Sequence, residues 1–101
     1  MIWRKKGLIY RPDGRCWWAR SHAMVPTPVL LDEVVRIYLG FLDDDKVGRI
    51  GFVDVDADNP SSILRVSDKP VLDIGVSGAF DDNGVLPSSI VKFKSNEYLY
   101  Y

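Results

Sequence analysis

The sequence predicts an all-β protein of antiparallel sheets built from a repeated unit. Two observations carry that prediction. Short runs of alternating apolar and polar residues recur between turn-forming clusters of Gly, Pro, Asn, Asp and Ser. In addition, one passage occurs twice: "VPTPVLLDEVVRIYL", from Val25, aligns without a gap on "LPSSIVKFKSNEYLY", from Leu86. Val25 falls on Leu86, Pro26 on Pro87, Thr27 on Ser88, Val29 on Ile90 and Ile37 on Tyr98, all at one offset.

The elements follow in order. "GLIYR" (Gly7 to Arg11) reads as a short strand ended by the turn Pro12-Asp13-Gly14. The polar and aromatic loop "RCWWARSHA" then leads into the first copy. "RIGFVDVD" sets Ile50, Phe52 and Val55 against polar neighbours until "ADNPSS" breaks the run. "ILRV" and "PVLDIG" read as two further strands. After the loop "SGAFDDNG", the second copy begins with the alternating "SIVKFK", turns at Ser95-Asn96 and returns along "EYLYY".

One segment has two readings. Taken alone, Pro28 to Leu42 makes a helix, with Thr27 as N-cap, Pro28 in first position, and Leu31, Val34, Val35, Tyr38, Phe41 and Leu42 at helical spacing. The repeat favours a hairpin instead. Its second copy carries the polar turn Lys94-Ser95-Asn96 where the first has Asp32-Glu33, and "EYLYY" is a poor helix and a good strand. We follow the repeat.

Each unit thus comprises a short strand, a loop with an aromatic residue, a strand containing proline, and a hairpin. A repeat of about sixty residues made of short strands points to a β-propeller blade. The chain then forms one partial propeller domain, with a blade-like unit over about 7–73 and the start of the next over about 71–101. One and a half to two blades leave the ring incomplete. Because blades bury their faces against neighbours, self-association as a homodimer or larger oligomer is the expected partner relation.

Composition narrows the function classes. With 47% apolar residues and a net charge of −1 the chain is globular, and it lacks the basic footprint a nucleic-acid backbone requires. The basic start (Arg4, Lys5, Lys6, Arg11, Arg15, Arg20) reads as solvated surface. No apolar run reaches the length of a secretory signal or membrane span, so a cytoplasmic location and no membrane partner are expected. A lone cysteine, Cys16, excludes an intrachain disulfide and a thiolate zinc site. "DVDADN" imitates the start of a calcium loop but has Asn59 in place of the glycine and Arg65 in place of the closing acid. Asp43-Asp44-Asp45 reads as a solubilising hairpin tip, and neither metal nor cofactor is expected.

The stretches "SHAMVPTPVLL", "GRIGFVDVD", "PVLDIG" and "FDDNGVLPSSIV" resemble the N-terminal part of five-bladed β-propeller, glycosidase-like proteins, related to the superfamily of glycoside hydrolase families 32 and 43. The resemblance spans essentially the whole chain and about a third of a full family member. It implies a sugar bound at the mouth of a central funnel, with acidic residues near the innermost strands of successive blades doing the chemistry. Glycoside cleavage needs two carboxyl groups across the scissile bond, about 5 Å apart for retention and wider for inversion.

The repeat places Ser21 and His22 on Asp82 and Asn83. Asp82 is therefore the candidate catalytic carboxylate, with Asp81 beside it and His22 in the equivalent place of the first unit. Asp81-Asp82-Asn83-Gly84 is also a good turn in its own right, and His22 also reads as an ordinary loop residue. Trp17 and Trp18 can stack on a sugar or pack between blades; Trp18 is taken as the substrate-binding candidate. Arg49 can meet a carboxylate or phosphate, although its hairpin position predicts exposure. The expected function is a carbohydrate-related propeller fragment that lacks the acids for hydrolysis by itself. The alternative is a β-sheet interaction module without a sugar ligand.

Overall fold

The computed structural model describes residues 1–101 and contains six strands and no helix. Strands β1 (Ser21–Leu31), β2 (Val34–Leu42), β3 (Gly48–Asp56) and β4 (Ile63–Val66) form an antiparallel sheet in chain order. β5 (Ser89–Phe93) and β6 (Asn96–Tyr100) form a separate antiparallel hairpin. The segment Pro28 to Leu42 is a hairpin, as the repeat requires. Its helical spacing is overridden because β2 is flanked on both sides, by β1 and β3, and each of its residues has a partner in β3.

Alternation along β2 and β3 sorts the sheet into two faces. On one, Val35, Ile37, Leu39 and Phe41 lie beside Val55, Val53, Gly51 and Arg49. This face is covered by the N-terminal segment: Trp18 and Ala19 join Leu39, Phe41, Val53 and Val55 in the core, with Tyr10 and Cys16 packed against them. The Trp18 ring meets Phe41 edge-on at 5.5 Å and Tyr10 meets the same ring at 6.4 Å. Trp18 needs a position without a side chain beneath it. A Cβ at Gly51 would overlap its ring and lie 2.7 Å from Ser67 Oγ.

The other face sets Arg36, Tyr38 and Gly40 beside Asp54, Phe52 and Ile50. Val85, Leu86 and Pro87 cover its lower end, where Leu86 fills the space above Gly40. Arg36 grips the buried Asp54 through Nε and Nη2 at 2.8 and 3.0 Å, and its guanidinium stands 4.0 Å from the Phe52 ring centre. The hydrogen bond to Asp54 raises the Arg36 pKa.

β3 is buried from Gly48 to Val55 because its outer edge is covered in relay. β4 pairs with Val53 to Val55, Ser67 bonds both backbone groups of Phe52, Leu72 bridges Ile50, and Gly84 bridges Gly48. Gly84 has φ +145°, and a Cβ there would stand 3.2 Å from the Gly48 nitrogen, so this contact selects glycine.

Two expected strands are corrected. Gly7–Arg11 belongs to no strand: Tyr10 packs edge-on against Phe41 on the sheet face, and the segment pairs with no strand although β1 is an edge strand. "PVLDIG" supplies only the bridge at Leu72; the chain then turns away as Asp73 reaches Arg49.

The repeat is real in the hairpins, but its register differs by one. Both turns have two residues, Asp32-Glu33 and Lys94-Ser95, and both take positive φ at the first, 55° and 57°. Matching the turns places Val29, opposite Arg36, on Val91, opposite Tyr98. That is one position away from the alignment through Pro26 and Pro87. The difference is absorbed upstream, where β1 bulges.

Replacing Trp18 with Ala removes the largest buried side chain of the core, and urea unfolding is expected to show a loss of about 3–5 kcal/mol. Gly51→Ala is expected to destabilise through overpacking by about 1–3 kcal/mol, and an additional Trp18→Phe change should recover part of it.

Candidate ligand-binding cleft at the start of β1

β1 is not a regular strand. It pairs Ser21 with Leu42, Met24 with Gly40 and Thr27 with Tyr38, so its register slips twice within seven residues. His22 and Ala23 together oppose Phe41, and Val25 and Pro26 together oppose Leu39. Each slip is a bulge whose first residue has positive φ: 67° at His22 and 52° at Val25. That position ordinarily falls to glycine. Histidine tolerates it moderately well; a β-branched valine there is strained. Bulges of this kind re-aim side chains and concentrate beside functional sites.

The first bulge turns His22 outward at the mouth of a cleft of ≈ 480 Å³ between the N-terminal segment and β1. Arg11 and Tyr10 stand on one wall, Arg20, Ser21 and His22 on the other. Nδ1 of His22 lies 2.9 Å from Ser21 Oγ. Arg20 is fixed by Asp44 at 3.2 Å from its Nε and by the Gly14 carbonyl at 2.6 Å from Nη1.

Asp81 and Asp82 do not line this cleft. Asp82 accepts the Gly78 backbone N–H at 2.8 Å, closing the turn it belongs to. Asp81 accepts the Tyr101 hydroxyl at 3.0 Å, and Phe80 stacks on the Tyr101 ring at 6.2 Å. That hydrogen bond raises the Tyr101 pKa. Sequence equivalence between Ser21-His22 and Asp82-Asn83 does not become proximity in one cleft.

Two expectations are corrected. Trp18 is 1% exposed and belongs to the core, so its role is packing and no sugar face can reach it. Its neighbour Trp17 is 61% exposed. Arg49, expected on the surface, is buried and paired with two carboxylates: Nη1 contacts Asp43 Oδ2 and Nε contacts Asp73 Oδ1, both at 2.7 Å, with the Trp17 ring 4.8 Å from the guanidinium. Asp43 is thereby part of the fold as well as of the hairpin tip. It also accepts the Val47 and Asp45 backbone N–H groups, both at 2.9 Å.

The Val47 amide first and Arg49 after it hold the Asp43 carboxyl below the usual carboxylate range; Arg49 does the same for Asp73. Residues the sequence reading passed over also share clefts. Asp13 and Asp68 line a second one, of ≈ 430 Å³, beside Trp18. Arg11 was legible only as one of several surface cations, because its partners across the cleft are set by the bulge. No group of His, Cys, Asp and Glu is placed to hold a metal ion.

The chain is similar over its whole length to two proteins of Mycobacterium tuberculosis, "Uncharacterized protein MT1551" and "Uncharacterized protein Rv1502", at 40% identity over 102 residues in each case. The match covers 34% of each, so the chain spans about a third of the length of the curated relatives it matches. No protein-family model matches the chain. No solved structure matches it. No helix is long and apolar enough to cross a membrane.

Two outcomes follow from this geometry. Val25→Gly relieves the second bulge without removing a buried group, and is expected to raise stability by roughly 1 kcal/mol in urea unfolding. Asp43 and Asp73 have folded pKa values below their unfolded ones. Their contribution is therefore present above about pH 4 and lost as pH falls through and below it. The unfolding midpoint should decline between about pH 5 and 3, and Arg49→Met should make that decline shallower.

Proposed function

We propose that this chain is one blade and the first half of the next in a carbohydrate-binding β-propeller, and that it binds sugar without hydrolysing it. The observation that carries the reading is the relation of the two sheets. A four-stranded antiparallel meander is followed by a hairpin with the same two-residue turn, and β5 lies against β1, where Lys92 Nζ reaches the Leu30 carbonyl. First strands side by side are what successive blades present around a common axis. Relatives about three times as long as this chain fit a ring in which it is the opening part.

The cleft at the start of β1 then lies at the innermost strand, the place where the resemblance to glycosidase-like propellers puts the sugar. Absence of hydrolysis at this cleft follows from its lining, which includes no carboxylate: Asp43 and Asp73 are committed to Arg49, Asp54 to Arg36, Asp81 to Tyr101 and Asp82 to a turn amide.

Amide NMR titration with a panel of mono- and disaccharides tests the reading. Shifts should cluster at Ser21, His22 and Ala23, and His22→Ala should weaken binding about tenfold with the fold intact. Asp82→Ala should leave binding at this cleft unchanged and lower stability by about 1 kcal/mol through the lost turn bond. Shifts confined to residues 78–84 would move the site to Asp82 and overturn the assignment of the cleft.

A second reading, self-association, is favoured by one observation. Val91, Phe93, Tyr98 and Tyr100 share one face of the β5–β6 hairpin and are each about half exposed. A second copy of the chain is the occupant we assign to that face. Light scattering across a dilution series should show a dimer that Val91→Lys and Tyr98→Lys together dissociate; an unchanged monomer at all concentrations would rule it out.

A further inference from the structure

We infer that the cleft at the start of β1 is built for an oxyanion, a phosphate or carboxylate group, carried by the bound sugar. The sugar part rests on the function proposed above; the anion part stands on the cleft itself. The polar side chains lining it are Arg11, Arg20, Tyr10, Ser21 and His22, and none is a carboxylate. Arg11 takes part in none of the ion pairs of the structure, so its guanidinium is free to meet an anion. Arg20, which also lines the cleft, is already oriented by Asp44 and Gly14 through Nε and Nη1, and neither contact uses Nη2. A guanidinium offers paired N–H donors whose spacing suits a carboxylate or phosphate.

The histidine and serine add a donor in either tautomer. If Ser21 donates to Nδ1 of His22, the imidazole proton sits on Nε2 and points away from the serine. If Nδ1 donates to Ser21 Oγ, the serine hydroxyl proton is released to donate elsewhere. Burial first, and Asp13 after it, raise the Tyr10 pKa, so its hydroxyl is a donor at neutral pH. A neutral sugar needs donors and acceptors in mixture. This lining offers two guanidinium groups and further donors with no carboxylate, which favours a ligand group that only accepts.

The β1 bulge makes the arrangement possible. In a regular ladder, Ser21 and His22 would alternate to opposite faces of the sheet. Positive φ at His22 breaks that alternation and brings both to one cleft.

The test is an amide and arginine side-chain NMR titration of the 101-residue protein with four probes: inorganic phosphate, glucose, glucose 6-phosphate and glucuronate. Saturable shifts with phosphate at Arg11, Arg20, Ser21 and His22, weakened at least about tenfold by Arg11→Gln and unchanged by Arg4→Gln outside the cleft, are the expected result. Tighter binding of glucose 6-phosphate or of glucuronate then says which oxyanion is carried. Phosphate shifts without added affinity from any sugar would uphold the anion site and count against the sugar reading. Glucose shifting the same amides as strongly as glucose 6-phosphate, with no response to phosphate, would uphold the sugar reading and overturn the oxyanion site. Equal weakening by Arg4→Gln and Arg11→Gln would also overturn it, as diffuse attraction to a basic segment.

Discussion

The seating of Trp18 over Gly51 is the contact on which the rest of the structure depends. A sheet of four strands has two faces to bury. The N-terminal twenty residues supply no strand, yet they bring Tyr10, Cys16, Trp18 and Ala19 onto one face. Trp18 Nε1 then hydrogen-bonds the Asp68 carbonyl at 3.4 Å, tying this cover to the segment after β4. Once that face is closed, the N-terminal segment lies beside β1 and forms the second wall of the cleft. Packing in the core thus places Arg11 opposite His22 with no local interaction between the two being needed.

The two faces of the sheet are buried by different physics. Under Trp18 the core is aliphatic and aromatic, and Arg49 enters it only at the edge, with two carboxylates and a tryptophan ring around it. On the opposite face a charged pair, Arg36 and Asp54, sits beside the Tyr38–Phe52 ring pair, with the guanidinium over Phe52. Such a pair contributes little net stability over apolar replacements, but breaking one half of it is costly. It therefore fixes the β2–β3 register more than it adds to stability, since a slip of one residue would send Arg36 and Asp54 to opposite faces. The pair also makes this face a poor site for indiscriminate apolar contact, while the lower end, at Gly40 and Ile50, accepts Leu86 from the segment before β5.

Much of the architecture was legible in the sequence because it rests on period-two alternation and turn chemistry. β3, β4, the β5–β6 hairpin and the choice of hairpin over helix at Pro28 to Leu42 all follow from residues near one another in the chain. The repeat carried the last of these against a helical pattern that local reading alone favours. Illegible were the features set by tertiary contacts. "GLIYR" has a good strand composition, but Tyr10 packs on Phe41 across the sheet face and the segment pairs with no strand. Arg49 looked exposed because its burial depends on Asp73, twenty-four residues away. The bulges at His22 and Val25 were hidden by their residue types, since nothing in "SHAMVPTP" contains the glycine that usually announces positive φ.

That substitution bears on function. Replacing glycine at both bulge positions costs stability, and the strain persists only because the pairing of β1 with β2 on either side over-determines it. A histidine in that position projects a ring where glycine projects nothing, and the register slip keeps the ring on the side of Arg11 and Arg20 rather than inside the sheet. Asp43, Asp54, Asp73, Asp81 and Asp82 are meanwhile used to hold arginines, amides and a tyrosine in place. An enzyme that cleaves glycosides keeps two carboxyl groups free of such commitments so that one can donate a proton and the other can remain charged. Here the uncommitted groups in the cleft are donors and cations. At β1 the chain thus presents donors and cations, while the acids paired with Arg36 and Arg49 hold the sheet that carries them.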